Sequence, residues 1–252
     1  MSHNLPESPS LNLTPSLREQ TMPKIHQLIL ILAALLIAAD LKAEDKKPAA
    51  TSLFDGKTLE GWDGNPKFWS VSDGVISGQT TKDNPTQGNT FLIWRGGTPA
   101  DFQLNLKFRI VGGNSGIQYR SKDLGNWVVG GYQADIDAGM KFIGILYEER
   151  GRGILALRSQ KVEIADNGDK KTVGSTGDDE QILAAIKKEE WNTYTIIARG
   201  NHLVQQINGK TTVDVVDNQA SKRAMKGILA LQLHAGPPML VQFRKITLQK
   251  LK

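Results

Sequence analysis

The chain has no cysteine. No disulfide staples it and no lipidated cysteine anchors it, so stability must come from hydrophobic packing. Only four histidines occur among 252 residues, and two of them, His202 and His234, lie beyond residue 43. A zinc centre of the usual His/Cys kind therefore finds too few ligands. No dense basic block accompanies the net charge of +5, which reads as solubility and not as nucleic-acid binding.

Long apolar runs are equally scarce. Leu28 to Ala39 (LILILAALLIAA) is the one candidate, and it falls short of the roughly 20 residues a membrane span needs. Met22-Pro23-Lys24-Ile25-His26 precedes it and Leu41-Lys42-Ala43 follows. This is the pattern of a secretory signal, with cleavage expected after Ala43 and Met22 a candidate true start. Residues 1–43 are thus assigned to the signal region, 44–50 (EDKKPAA) to a linker and 51–252 to one domain. The expected location is secreted or periplasmic, with no membrane attachment after cleavage.

What is present is a series of short period-two segments separated by turn signals. Phe102 to Ile110 alternates cleanly, with Phe102, Leu104, Leu106, Phe108 and Ile110 inward. Asp73-Gly74 predicts a hairpin. Asn192 to Val216 predicts a three-strand meander. In Leu240 to Leu251 the apolar phase slips between Phe243 and Ile246, which predicts a bulge. Glu180 to Lys188 predicts the one short helix, capped by Asp178 or Asp179. The pattern is all-β, a two-sheet antiparallel sandwich.

The candidate site lies in Gly112 to Asp137 (GGNSGIQYRSKDLGNWVVGGYQADID). Period two puts Gln133, Asp135 and Asp137 on one strand face, and Gln118 with Arg120 on one face of the preceding strand. In GILALQLH, Gln232 and His234 share a polar face. Such a cluster holds a polyhydroxylated ligand by paired hydrogen bonds and contains groups for proton transfer. The ordinary alternative is a solvated outer sheet face.

Glu148-Glu149-Arg150-Gly151-Arg152 reads either as surface ion pairs or as a cleft rim in which an arginine orients an acid. No cofactor is evident, although Asp135 and Asp137 offer oxygen ligands of the kind Ca²⁺ or Mg²⁺ takes. Trp127, in a glycine-flanked loop, is the best candidate to stack on a sugar, whereas Trp62, Trp69, Trp94 and Trp191 read as core. Gly151 to Ala156 lacks the βαβ setting of a dinucleotide site. Asn114-Ser115-Gly116 is not a nucleophile elbow, and Ser115 reads as a turn residue.

Several segments together resemble one family. LFDGKTLEGW at Leu53, GNSGIQYRS at Gly113, GYQADID at Gly131, GILYEERGRG at Gly144, EWNTYTIIARGNHLVQQINGK at Glu190 and GILALQLHAGPPMLVQFRKITL at Gly227 are similar to the 3-keto-disaccharide hydrolase family, in the family's order. The resemblance implies a concanavalin A-like lectin/glucanase jelly roll. It also implies cleavage of 3-keto-glycosides by removal of the C2 proton, elimination and hydration.

Many members carry a glutamate where this chain has Gln133, so the acid is read as having moved to Asp135. The stretch is also similar to the strand of laminarinase-type glucanases, again with glutamine in place of the first glutamate. Ordinary retaining hydrolysis, which needs two carboxyls about 5–5.5 Å apart, therefore ranks lower.

The implied roles are Asp135 or Glu148 as base, Arg120 or a bound cation on the enolate oxygen and His234 as acid or orienter. Gln118, Gln133, Asp137, Trp127, Arg150 and Gln232 would bind substrate. The partner is a carbohydrate, with a functional link to a sugar 3-oxidoreductase that makes the ketone. A non-catalytic carbohydrate-binding or adhesion sandwich is the alternative, because the fold does not fix the function.

Overall fold

A computed structural model describes residue 1 and residues 49–251. The signal region, its cleavage after Ala43 and most of the linker lie outside the described residues. The elements in chain order are β1 (Thr51–Ser52), β2 (Trp62–Asp63), β3 (Trp69–Ser72), β4 (Val75–Thr80), β5 (Thr90–Trp94), β6 (Phe102–Val111), β7 (Asn114–Asp123), β8 (Val129–Asp137) and β9 (Leu146–Glu149). They continue with β10 (Gly153–Ala156), β11 (Gln160–Ile164), β12 (Lys170–Ser175), α1 (Asp179–Ala184), β13 (Asn192–Arg199), β14 (His202–Ile207), β15 (Lys210–Asp217), β16 (Ile228–Leu233) and β17 (Met239–Lys250).

The strands form two sheets, as an antiparallel sandwich requires. One runs β12-β11-β15-β14-β13-β6-β17-β4-β3, with β1 added beside β17. The other runs β10-β9-β8-β7-β16-β5-β2. The pairing of β11 with β15 is parallel.

Alternation in β6 buries every second residue from Phe102 to Ile110. These side chains meet Ile117, Tyr119, Tyr132, Ala134 and Ile136 of the other sheet in one core. The polar residues between Tyr132 and Ile136 must then point to the outer face of the seven-stranded sheet, since successive side chains alternate. That face carries the site.

Local chemistry accounts for the turns. Asp73 and Gly74 take φ of 53° and 75° between β3 and β4, the left-handed pair that a two-residue hairpin demands. The expected bulge falls between Arg244 and Thr247 of β17. The helix is shorter than its sequence pattern. Asp178 caps it by accepting from Gln181 N, and it stops at Ala184, before Lys187 and Lys188. Trp62 and Trp69 are buried. Trp191 departs from its expected core place: the Arg244 and Arg109 guanidiniums lie 4.0 and 5.5 Å from its ring.

Candidate active site

β7, β8 and β16 build the floor. Register sets Gln118 beside Gln133 and Gly116 beside Asp135. A Cβ at Gly116 would come within 2.4 Å of the Gln133 side chain, so glycine there lets the glutamine lie across the strand. Gln118 Nε2 donates to Gln133 Oε1 at 2.7 Å, and Gln133 Nε2 donates to Asp135 Oδ1 at 2.6 Å. Asn114 Nδ2 donates to the second oxygen, Oδ2, at 2.9 Å. Both oxygens of Asp135 are thus held, and its orientation is fixed.

Above this floor lies an open cleft of about 470 Å³. Asn89, Asn114, Gln133, Asp135, Asp137, Glu149 and His234 supply polar groups, and Phe142, Ile145, Tyr147 and Ile154 form an apolar side. A smaller hollow of about 370 Å³ continues past Asn114, Asp137 and His234 to Pro237 and Met239.

Asp135 is only 5 % exposed. Burial pushes its carboxyl up to about 7. The hydrogen bonds from Asn114 and Gln133 pull the other way, while the charges of Asp137 and Glu149 push it further up. A carboxyl half-ionised near neutrality, at the bottom of a cleft, is suited to accept and return a proton.

His234 Nδ1 lies 2.5 Å from Ala235 O. A carbonyl only accepts, so Nδ1 carries hydrogen and Nε2 is the nitrogen left for chemistry. Glu149 takes Asn89 Nδ2 at 3.3 Å and Gln232 Nε2 at 3.4 Å.

The structure brings together Gln133, Asp135, Asp137 and His234 among the residues singled out by sequence. Gln118 and Gln232 are fully buried. They brace Gln133 from below and do not reach the cleft as substrate ligands. Asp137 turns its oxygens to the backbone N–H groups of Gly139 and Phe142 at 3.0 and 2.8 Å, so it shapes the loop after β8. Its neighbour Asp135 is held by amides, and among the described residues no group of three or more acidic, histidine or cysteine side chains is placed to hold a metal ion.

Arg120 is a correction. The pairing of β7 with β8 shifts between Tyr119 and Lys122, and Arg120 has φ of 47°. A bulge of one residue reverses the facing of a strand. The Arg120 guanidinium therefore turns away from the Gln118 side. It donates to Ala100 O, Gly200 O and Asp101 Oδ1 at 2.8, 2.5 and 2.9 Å.

Glu148 is a second correction. It pairs with Tyr132 across β8 and β9, so it shares the inward side of that tyrosine. There it accepts from Arg152 Nε at 2.6 Å, and Arg152 also binds Asp217 at 2.7 Å. Its neighbour Glu149 is the acid that faces the cleft.

Trp127 and Arg150 do not line the cleft. They border a separate cavity that meets it at Asn89. Ser115 lies inside β7, not in a turn, and its hydroxyl donates to Gln232 O at 2.6 Å.

Sequence reasoning missed Asn89, Asn114 and Tyr147, and named Glu149 only as part of the Glu148–Arg152 rim. Asn114 opens the strand that also carries Gln118, and the alternation could have found it. Asn89 belongs to a loop and gave no periodic signal.

The model of the 3-keto-alpha-glucoside-1,2-lyase-like domain matches residues 49–249. No curated protein matches the chain. Among solved structures, a candidate glycosyl hydrolase from Parabacteroides distasonis ATCC 8503 is 22 % identical, covers 81 % of this chain and 100 % of its own, and superposes with a TM-score of 0.54. A second from the same organism is 17 % identical over 84 % of this chain and 97 % of its own, with a TM-score of 0.53. The carbohydrate-binding module CBM66 of Bacillus subtilis is 13 % identical over 75 % and 96 %, with a TM-score of 0.51. At these identities the likeness is one of fold.

Proposed function

Because this chain belongs to the 3-keto-alpha-glucoside-1,2-lyase-like family, we propose that it is a carbohydrate-active enzyme that cleaves 3-keto-glycosides by elimination at C1 and C2. The observation that carries this reading is the Asp135 carboxyl, fixed by two amides and raised to about 7 on the floor of an open cleft.

A ketone at C3 acidifies the proton on C2. The ionised Asp135 carboxylate takes that proton, and the electrons of the C2–H bond form an enolate with oxygen at C3. The enolate collapses: the C3 carbonyl returns, a C1=C2 double bond forms and the C1–O bond breaks. The leaving oxygen takes a proton from His234 Nε2 when the imidazole is protonated, Nδ1 being held by Ala235 O. Water added across C1=C2 gives the free 3-keto sugar, so the net result is hydrolysis.

The Asn114 amide, with one N–H on Asp135, offers its other N–H to the enolate oxygen. The apolar side of Phe142 and Tyr147 takes a sugar face. The substrate carries a ketone where sugars ordinarily carry a hydroxyl, so an oxidoreductase acting at C3 must supply it.

The test is incubation of the protein with a 3-keto-glucoside deuterated at C2. The reading expects release of the group on C1 together with loss of the C2 deuterium to solvent. Binding without release would mark a carbohydrate-binding module instead.

A further inference from the structure

The cavity beside the cleft holds about 590 Å³, more than the cleft itself, and Asn89 lines both. Phe68 and Trp127 give it aromatic surface, Lys67 and Arg150 line it as cations, and no acidic residue does. Neither cation has an ion-pair partner among the described residues.

The backbone beneath Trp127 is unusual. Val128 N bonds Gly125 O at 3.0 Å, closing a tight turn whose central residues are Asn126 and Trp127, with φ of 52° and 55°. The second position of such a turn suits glycine, and a bulky residue there is strained. The strain is held by Trp127 Nε1 donating to Asp63 Oδ1 at 2.7 Å, and by Phe91 N donating to Trp127 O. Arg150 also has a left-handed φ, of 53°, in the turn after β9. Two side chains on strained backbone thus border one cavity, and strain of this kind clusters at ligand sites. In the facing loop, the buried Thr86 Oγ1 has no hydrogen-bond partner.

We propose that this second cavity binds the group on C1 of the substrate, and that this group is an acidic sugar, its ring on the aromatic surface and its anion on Arg150 and Lys67. The proposal rests on the elimination reading for its direction: the two cavities meet at Asn89, so a disaccharide with its 3-keto ring over Asp135 reaches the second cavity past that residue. The anionic preference rests on the cavity alone. Aromatic surface suits a sugar ring, and an unpaired guanidinium suits a carboxylate or sulfate.

The experiment has a binding arm that needs no turnover. Methyl glucuronide, methyl glucoside and glucose 6-sulfate are titrated into the protein while the Trp127 indole N–H is followed by NMR. The glucuronide should bind about tenfold more tightly than the glucoside, a difference of about 1.4 kcal/mol, and added salt should erase the difference. Arg150→Gln with Lys67→Gln should abolish the preference, and Trp127→Gly, which suits the left-handed backbone, should weaken every sugar. Tighter binding of the sulfate than of the glucuronide supports the same site with sulfate as the anion. Equal binding of neutral and acidic sugars, or a preference that survives the double substitution, overturns the proposal.

A turnover arm separates this from the elimination itself. A 3-keto-glucoside with a small neutral leaving group should be cleaved by the wild-type protein with release of that group. Failure there would count against the elimination reading while the titration still decides the cavity.

Discussion

Gln133 Nε2 donates to Asp135 Oδ1 at 2.6 Å, while its own Oε1 accepts from Gln118 Nε2 at 2.7 Å. Gln133 is thus a clamp for the acid two residues on. It supplies one of the two hydrogen bonds that keep Asp135 from rising further. Gln133→Leu removes that donor at similar volume, so the Asp135 carboxyl should rise. A hydrogen bond to a charged group is worth about 1.5–3 kcal/mol, or roughly one to two pH units. The acidic limb of the kcat/KM profile, expected near pH 7, should move up by that amount. A limb that stays in place would remove Gln133 from the account.

Asp135→Asn keeps shape and removes the charge. Turnover should fall by about 10² or more, the scale of a lost general base. Stability should move the other way. The folded carboxyl sits at about 7 against an ordinary value of 3.8, so between those pH values the folded state binds more protons than the unfolded one. Stability from this group is then present below the unfolded value and is lost as pH rises through 7. At pH 8 the ionised carboxylate costs the fold on the order of 4 kcal/mol. The variant should lack this loss, and its Tm should exceed that of wild type at pH 8 but not at pH 4. A variant less stable at pH 8 would make Asp135 a structural anion.

Arg120 should matter to folding and not to turnover. Its side chain is buried, its guanidinium makes three hydrogen bonds of 2.9 Å or less, and these reach Gly200 in the β13–β14 turn of the opposite sheet. Arg120→Lys cannot reproduce the planar fork. A buried acceptor left without its donor costs about 1–3 kcal/mol, visible in urea unfolding, with kcat of the folded fraction unchanged. A large fall in kcat at unchanged stability would return Arg120 to the catalytic set.

Much of this molecule is legible in its sequence, and the exceptions have local causes. The β6 alternation, the Asp73-Gly74 hairpin and the slip in β17 all arise from side-chain period and turn chemistry. So does the shared face of Gln133, Asp135 and Asp137. Arg120 escapes the period-two reading because the bulge after Tyr119 adds one residue and reverses the facing of the rest of β7. A single phase slip between polar residues leaves no hydrophobic trace. Glu148 and Glu149 are adjacent acids on a four-residue strand. Which of them faces the cleft depends on register with β8, and register is not written in β9 itself. Asn89 comes from a loop some forty-six residues from Asp135, and only the placement of β5 beside β16 brings it to the cleft. Trp127 stands out in the sequence as a loop aromatic, but the separation of its cavity from the cleft is tertiary.

The central claim is that Asp135 removes the proton on C2 of a 3-keto-glycoside. The most direct measurement is the isotope effect on kcat/KM for a 3-keto-glucoside carrying deuterium at C2, with the product analysed for retained label in wild type and in Asp135→Asn. The account predicts a primary effect and loss of deuterium to solvent in the wild type, and neither cleavage nor exchange in the variant. Cleavage without an isotope effect and with the deuterium retained at C2 would contradict it.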